Sequence, residues 1–168
     1  MSSKEARFLQ LLEAHKGVLF KICRIYEEDA EARNDLLQEM ILQLWASFDT
    51  FRGDSQFSTW MYRVALNTAI VFFKKEKRRP DTVMLPLDNE QPAPPQYNGE
   101  TEQQLALFYK AVKQLSQVEK ALVFLYMENQ TYEEIAANMG ITPVNARVRL
   151  NRIKNKIKEL IKTMGYES

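Results

Sequence analysis

The sequence contains one cysteine, Cys23, and one histidine, His15, in 168 residues. A disulfide within the chain and a zinc site with several Cys and His ligands are therefore excluded. Any Cys-His or Ser-His-Asp catalytic group would depend on His15, and the sequence has no glycine-rich phosphate loop. Both residues lie in an apolar-periodic segment, which favours a small buried Cys23 and a His15 on a helix surface. We predict no metal, no cofactor and no enzymatic activity.

Glycine and proline are also scarce, at five and six residues. No apolar run approaches the roughly 20 residues that a membrane-spanning helix needs. The first residues mix an acid with two bases, and no small-residue cleavage site follows them. No segment alternates convincingly between apolar and polar residues, whereas recurrence at threes and fours is common. The sequence therefore predicts an all-α protein in the cytoplasm, without direct membrane insertion.

The prolines are concentrated in one segment, since five of the six lie between residues 80 and 95. Each removes a backbone donor and disfavours helix in the residue before it. Residues 81–102 hold five acids and no base. We predict two small helical domains, over residues 1–79 and 103–168, joined by a flexible acidic linker over residues 80–102.

The net charge of +1 conceals an uneven distribution of charge along the chain. Residues 27–39 carry a net charge of −5 and residues 63–79 a net charge of +5, while residues 145–162 hold seven bases against one acid. Partners sense such local fields over about one Debye length, roughly 10 Å at 0.1 M salt. Two basic segments therefore flank the acidic linker.

The segment 30–47 is predicted to form a helix with more than one apolar face. Its apolar residues point in three directions on a helical wheel, namely Leu36 and Met40, then Leu37, Ile41, Leu44 and Trp45, then Leu42. Such a helix is either central to its own bundle or docks one face on another protein, and the sequence leaves both open. After a loop over residues 49–57, a third helix is expected to begin at Ser58 or Thr59 and to end in the basic residues 74–79.

The segment 131–143 predicts a helix-turn-helix motif. Thr131 and Glu134 form the pattern of a capping box, and Gly140 suits the left-handed residue that closes a helix. Thr142 followed by proline is typical of the start of the next helix. Two helix starts and a turn within thirteen residues are a specific signal.

The helix after this turn is predicted to have one buried face and one basic face. The buried stripe repeats at spacings of four and three, as Ala146, Leu150, Ile153, Ile157 and Leu160. The basic face lacks the acids at i,i+4 that usually balance a solvated helix. We interpret it as a surface for nucleic acid, against the alternative of a solvated charged face.

In a major groove, the N-terminal half of this helix would meet base edges. Arg147 and Arg152 suit guanine, and Asn151 suits adenine. Val148 can touch a thymine methyl group. Basic side chains further along the helix are suited to phosphate contacts, and these are Lys154, Lys156 and Lys158.

The order of these segments resembles a known family, the extracytoplasmic-function sigma factors, which are small specificity subunits of bacterial RNA polymerase. Asp-Leu-Leu-Gln-Glu at 35–39, Leu-Trp at 44–45 and the run over 51–67 are similar to the family's region 2. The segment 140–152 is similar to the end of its region 4. Pro143-Val144 departs from the family's more usual acid-glycine pair, and Val148 from a small hydroxyl residue, which leaves the promoter sequence open.

The resemblance implies a protein that binds core RNA polymerase, recognises promoter DNA and promotes transcription initiation. Family members grip the clamp helices of the polymerase's largest subunit, and the residues implied in that contact are Asp35, Gln38, Glu39 and Ile41. They read the minus-ten element and hold an unstacked base, which implies roles for Arg52, Ser55, Gln56, Phe57, Arg63, Asn67, Lys74 and Lys75. Among the aromatic residues of that segment, Trp60 is the first expected in the core.

The resemblance also implies contacts with the minus-thirty-five element by Arg147, Val148, Asn151, Arg152, Lys154 and Lys158. Four of these are the base-reading residues that the helical wheel selects. The acidic linker resembles the segment that threads the polymerase's template and RNA channels, although an ordinary solvated tether is equally consistent with its composition. Family members are commonly held by an anti-sigma factor, and an active one associates with the nucleoid.

The main alternative is a simple helix-turn-helix regulator whose N-terminal half dimerises or senses a ligand. Such a protein would bind duplex DNA without polymerase, and it would leave the region 2 pattern unexplained. A helical interaction protein without DNA binding is a further alternative, and it would show no steep dependence of DNA binding on salt.

Overall fold

The computed structural model describes residues 2–76 and 99–165, with the side chains of residues 73–76 left out. Within this description the chain forms α-helices and no strand, which confirms the all-α prediction. The chain divides into two compact units, Met1–Glu90 and Gln91–Ser168. None of the helices in the described part is long and apolar enough to cross a membrane.

The described part of the first unit contains three α-helices, α1 (Ser3–Tyr26), α2 (Ala30–Ala46) and α3 (Phe57–Glu76). Two of them begin with a side-chain cap that satisfies an otherwise unpaired amide. Ser2 Oγ accepts a hydrogen bond from the Glu5 amide at 3.1 Å, and Asp29 Oδ2 accepts one from Ala32 at 2.9 Å. A 3₁₀ turn at Phe48–Thr50 leads from α2 towards the loop before α3.

All three helices contribute to one apolar core, which includes Leu19, Ile22, Cys23, Tyr26, Leu36, Met40, Leu44, Met61, Ala65 and Ala69. Helix α2 packs against both α1 and α3, which explains why its apolar residues point in more than one direction. Leu42 is nevertheless 43% exposed, so one of those directions faces away from the bundle. The central position of α2 in its own bundle is therefore confirmed, and docking of the face with Leu42 on another protein stays a prediction.

The lone cysteine and histidine belong to this unit. Cys23 is fully buried, and burial raises the pKa of its thiol to about 12, as expected for an inert structural cysteine. His15 is half-buried rather than on the surface, because its ring lies 5.1 Å from that of Phe57. Its Nδ1 donates to the Leu11 carbonyl oxygen at 2.9 Å.

Within residues 99–165, the second unit contains four helices, α4 (Gly99–Lys113), α5 (Gln117–Met127), α6 (Tyr132–Met139) and α7 (Pro143–Thr163). Helix α4 begins at Gly99, inside the range predicted as linker, so residues 99–102 are helical. The preceding part of that predicted linker, residues 80–98, lies outside the described residues.

The predicted helix-turn-helix is confirmed as α6, a turn and α7. Gly140 ends α6 in the left-handed region at φ +69°, and Thr142 Oγ1 caps α7 by accepting from the Asn145 amide at 3.1 Å. Thr131 Oγ1 accepts from the Glu134 amide at 3.1 Å, which caps α6. The capping box with both reciprocal bonds lies instead at the start of α5, where Ser116 pairs with Glu119.

Helix α7 is the central helix of the second unit, because α4, α5 and α6 all pack against it. The predicted buried stripe is confirmed for Ala146, Leu150, Ile153 and Ile157, while Leu160 is half-buried. Three neighbours thus fix the rotation of α7 about its axis, and with it the direction in which the opposite face points.

Candidate nucleic-acid interfaces

The first candidate interface is the exposed face at the start of α7. Arg147, Asn151 and Arg152 are exposed, and Val148 is 38% exposed. Val148, Asn151 and Arg152 project opposite the buried stripe and Arg147 lies on its flank, as the wheel predicts. A face of two arginines, an amide and an apolar side chain offers the donors, acceptor and methyl contacts that the major groove can distinguish.

The N-terminus of α7 adds to this face. No acid lies in its first turn, so the partial positive charge of the helix end is not neutralised there. Val144 in the same turn is 62% exposed. An anionic backbone is the ligand that such a helix end favours.

The three lysines of α7 that were predicted to bind phosphates divide into two groups. Lys154 and Lys156 are held by α5, since the Lys154 ammonium lies 4.1 Å from the centre of the Tyr126 ring and Lys156 pairs with Glu119 at 3.2 Å. Lys158 is exposed, on the same flank of α7 as Arg147. Lys156 therefore has a structural partner, whereas Lys158 faces solvent.

The Glu119 carboxylate shows how α5 and α7 are joined. Burial acts to raise its pKa, but hydrogen bonds from the Ser116 amide, from Lys156 and from the Ser116 hydroxyl outweigh burial, so the pKa is lowered. The same carboxylate thus completes the cap of α5 and binds α7. This contact helps to hold α7 in place.

The second candidate interface is the loop between the 3₁₀ turn and α3. Residues 52–56 are all exposed, and Gly53 has a φ of +82°, a conformation that glycine adopts without strain. Arg52, Ser55 and Gln56 therefore lie at the surface, as predicted. Exposed backbone amides and polar side chains in a non-helical loop suit the edge of an unpaired base.

The loop rests on a cluster of aromatic rings. The Phe51 ring is 5.4 Å from Phe57 and 5.5 Å from Trp60, and Phe57 is 5.4 Å from Trp60. The Trp60 indole N–H donates to Thr50 Oγ1 at 3.1 Å, and Thr50 in turn donates to the Ser47 carbonyl oxygen. Edge-to-face and tilted rings at these distances attract one another.

Two predictions for these rings need correction. Phe57 is 6% exposed because neighbouring rings cover it, so the structure places it in the core and not at the surface where the predicted contact with minus-ten DNA would form. Trp60, expected in the core, is half-buried, whereas Tyr62 is 8% exposed. The sequence pattern did not separate them because all these rings fall within twelve residues of a loop and a helix start.

A stripe along α3 continues from the loop. Arg63 and Asn67 are both exposed one helical turn apart, and Val71, a further turn along, is 45% exposed. Val71 was not singled out from the sequence, although its spacing from Asn67 was a signal. The predicted contacts Lys74 and Lys75 have side chains outside the described residues.

The predicted polymerase-binding face of α2 is only partly exposed. Asp35, Glu39 and Ile41 are half-buried, and Glu39 accepts a hydrogen bond from Gln43 at 3.3 Å. Gln38 is 5% exposed, so its predicted contact with polymerase is corrected, because the side chain faces the bundle.

Leu42 is the exposed residue that the sequence analysis left out of this face. It lies one to two turns after Asp35 and Glu39 on a helical wheel, on the same side of α2. Because it is 43% exposed, this side of α2 presents an apolar side chain as well as the two carboxylates.

Comparison with protein families gives two matches. Residues 11–79 match the family described as Sigma-70 region 2, and residues 105–157 match the one described as Sigma-70, region 4. Each match lies within one structural unit.

Curated relatives cover most of the chain. The chain is 29% identical over 143 residues to the ECF RNA polymerase sigma-E factor of Escherichia coli, covering 76% of this chain and 75% of that protein. It is 29% identical over 179 residues to the RNA polymerase sigma-H factor of Pseudomonas aeruginosa, covering 98% of this chain and 91% of that protein.

Two solved structures share the fold. CnrH in complex with the cytosolic domain of CnrY matches with a TM-score of 0.66 and 18% identity, over 95% of this chain and 90% of that one. The sigma factor RpoE in complex with the anti-sigma factor NepR from Bartonella quintana matches with a TM-score of 0.64 and 24% identity, over 94% and 96% of the two chains.

Proposed function

Because the chain belongs to the extracytoplasmic-function sigma factors, the promoter-specificity subunits of bacterial RNA polymerase, we propose that its two units divide promoter recognition between duplex and single-stranded DNA. The observation that carries this proposal is the exposed face of Arg147, Val148, Asn151 and Arg152. It lies at the start of the second helix of a helix-turn-helix motif, and three helices fix its direction.

In the second unit, α7 enters the major groove of the minus-thirty-five element. The two arginines pair with guanine, Asn151 with adenine, and Val148 packs on a thymine methyl group. Lys158 binds the phosphate backbone, and Lys154 adds positive charge at the edge of the contact while it remains over Tyr126.

In the first unit, the loop captures an unpaired base of the non-template strand at the minus-ten element. Arg52, Ser55 and Gln56 supply the polar contacts, while Arg63 and Asn67 follow the strand along α3. Lys74 and Lys75 extend this path as backbone contacts. Capture of a flipped base offsets an unstacking cost of a few kcal/mol per base, so the protein assists melting by binding alone.

Helix α2 binds the clamp helices of the polymerase's largest subunit. Asp35 and Glu39 provide the negative charge, Ile41 adds apolar contact, and Leu42 replaces the buried Gln38 in the proposed surface. A partly exposed apolar side chain among carboxylates is suited to a protein partner with basic and apolar residues.

Sigma factors are DNA-recognition subunits, and we propose that this one performs no covalent chemistry and needs no cofactor. The proposed division of the chain is residues 1–79, the linker 80–102 and residues 103–168. The linker either threads the polymerase channels or acts as a tether. We place the protein in the cytoplasm, at the nucleoid when active, because its polymerase and promoter partners are there.

An anti-sigma factor is a further proposed partner. RpoE of Bartonella quintana was solved with the anti-sigma factor NepR, and CnrH with the cytosolic domain of CnrY. The fold shared with these chains supports the proposal that a protein of this kind binds here too. The simple helix-turn-helix regulator is not favoured, because the region 2 match accounts for the N-terminal unit.

The two DNA contacts can be tested by cleavage from single cysteines. Asn151→Cys and Ser55→Cys are each labelled with a chelated iron that cuts nearby DNA, while the native Cys23 is buried and stays unlabelled. In the holoenzyme on a mapped promoter, label at position 151 should cut around the upstream element and label at 55 around the minus-ten element. Thr163→Cys, exposed at the end of α7, is the matched control. The proposal would be contradicted if the label at residue 151 cut the minus-ten element and the label at residue 55 cut the upstream element. It would also be contradicted if the label at residue 163 cut either element as efficiently as the other two labels.

A further inference from the structure

The first two turns of α1 contact the segment that carries the base-capturing loop. These turns precede residue 11, where the region 2 match begins. The Lys4 ammonium pairs with Asp49 at 3.2 Å and lies 4.4 Å from the centre of the Trp45 ring. One side chain therefore joins the start of α1 to the end of α2 and to the 3₁₀ turn.

Arg7 makes the second contact. Its guanidinium carbon lies 5.6 Å from the centre of the Phe48 ring and 5.7 Å from that of Phe51. Phe51 directly precedes the exposed loop residue Arg52, so the guanidinium reaches the point where the loop departs. A cation within about 6 Å of a ring centre is attracted by the ring's quadrupole.

Phe8 anchors these two cations. It is 4% exposed, and its ring lies 5.1 Å from that of Trp45 and 5.2 Å from that of Phe48. Because Phe8 is fixed, Lys4 and Arg7 are held on one side of the aromatic cluster, one helical turn apart.

The same cluster also supports the start of the loop. Phe51 lies against Trp60, whose indole N–H bonds Thr50. Any shift of Phe48 or Phe51 would thus move the residues that begin the loop and the ring beneath it. The packed rings transmit position because close-packed side chains leave little room for small adjustments.

We propose that Lys4 and Arg7 are positioning residues for base capture, which hold the loop over residues 52–56 in its receptive shape. The inference rests on the proposed function of that loop. The two cations order the loop before DNA arrives, which lowers the ordering cost of binding. Lys4 also pairs the Asp49 carboxylate, whose charge would otherwise stand beside the incoming phosphates.

The test compares the double variant Lys4→Met/Arg7→Met with Arg7→Lys and with Lys16→Met, in the full chain. Methionine keeps an unbranched apolar stem without the charge. Lys16 is the matched control, because its ammonium pairs with Glu13 within α1. Thermal unfolding of each variant establishes that the helices remain folded.

The first readout is the free protein, in a Trp45→Phe background in which Trp60 is the remaining tryptophan. Acrylamide should quench the fluorescence of Trp60 more efficiently in the double variant, because the Phe48 and Phe51 rings that pack against Trp60 would be held less firmly. Quenching that is unchanged from the parent and from Lys16→Met would overturn the proposal. This readout needs neither polymerase nor DNA.

The second readout is the affinity of the holoenzyme for a single-stranded non-template oligonucleotide that spans a mapped minus-ten element. The double variant should bind it about 5-fold more weakly, the range expected for losing one or two exposed cation–π contacts. Arg7→Lys should recover part of that loss, and affinity for core polymerase should stay unchanged. Equal oligonucleotide affinity in the double variant and Lys16→Met would overturn the positioning role. If the holoenzyme with the unaltered protein did not bind the oligonucleotide, the proposed function of the loop would be wrong. Quenching of Trp60 would still test whether the two cations fix the loop.

Discussion

The two units of this sigma factor present their exposed polar residues in opposite ways. In the second unit the residues lie on a regular helix, α7, whose rotation is fixed by packing against three neighbours. In the first unit they lie on an irregular loop over residues 52–56 that rests on a cluster of aromatic rings.

The difference matches the DNA that each unit is proposed to bind. A duplex presents base edges at a fixed spacing, so a rigid helix with residues in fixed register can read it. An unpaired base has no such frame, and it needs polar groups that surround its edges and faces. A helix is therefore suited to the minus-thirty-five element, and a supported loop to the minus-ten element.

The largest effects on the free energy of unfolding are expected from substitutions that remove a large buried side chain from the core of either unit. Phe57→Ala and Leu150→Ala should each destabilise their own unit by about 3 to 5 kcal/mol, the cost of a large-to-small core change. Both tryptophans, Trp45 and Trp60, lie in the first unit, so tryptophan fluorescence reports its unfolding while circular dichroism reports both units. Phe57→Ala should shift the fluorescence transition in urea. A shift of similar size from Leu150→Ala would show that the two units unfold together.

The second effect separates base reading from general charge. Arg147→Ala and Arg152→Ala should each weaken promoter use by about 1 to 3 kcal/mol and leave core binding intact. Arg149→Ala is the control, because Arg149 is exposed on the flank of α7 that lies away from Arg147. Transcription from promoters with single substitutions in the upstream element measures the effect. Equal losses from all three variants would mean that α7 contributes charge without reading sequence.

A smaller effect is expected at the helix caps. Thr142→Ala removes the bond to the Asn145 amide at the start of α7 and should cost about 0.5 to 2 kcal/mol in the free energy of unfolding. Thr142→Ser should keep the capping bond and therefore most of that stability. Ser2→Ala at the start of α1 is the counterpart in the first unit. Its cost should fall at the low end of this range, because α1 has no buried residue before Phe8, whereas Ala146 near the start of α7 is buried. Chemical denaturation compares the three, and a larger loss from Ser2→Ala would contradict this order.

The smallest effect concerns pH and Glu119. Since the pKa of Glu119 is lowered in the folded state, its contribution to stability is present above the unfolded pKa and is lost as pH falls through the folded one. Glu119→Gln keeps a capping residue but has no charge to titrate. Its unfolding free energy, measured by circular dichroism between about pH 3 and 6 around the ordinary Glu pKa, should fall less steeply with acid than that of the parent. An identical slope would show that Glu119 does not contribute to this dependence.

Local signals made much of the second unit predictable. Gly140, Thr142 and Pro143 specify where α6 ends and α7 begins, and the four-three spacing of apolar residues then fixes which face of α7 is exposed. A helix with a clear stripe leaves little ambiguity, so the exposed residues that are proposed to read bases could be placed on one face of α7 before the structure was known.

The first unit was less predictable because its site depends on contacts between distant segments. Nothing near Phe57 in the sequence says that its ring is covered by Phe51 and Trp60. Lys4 meets Asp49 across 45 positions, a pairing that no periodicity reveals. Gln38 lies in an acidic segment, yet α2 turns it towards the bundle. Burial of such residues is decided by how the helices pack.

The central claim, that this chain directs RNA polymerase to promoters, is tested most directly by in vitro transcription. Purified bacterial core polymerase is incubated with a pool of genomic fragments, with and without the protein, and the RNA starts are mapped. New starts that share two short upstream motifs are the predicted result, and the motifs would give its promoter sequences. No new starts, when another sigma factor supports transcription in the same reaction, would contradict the account.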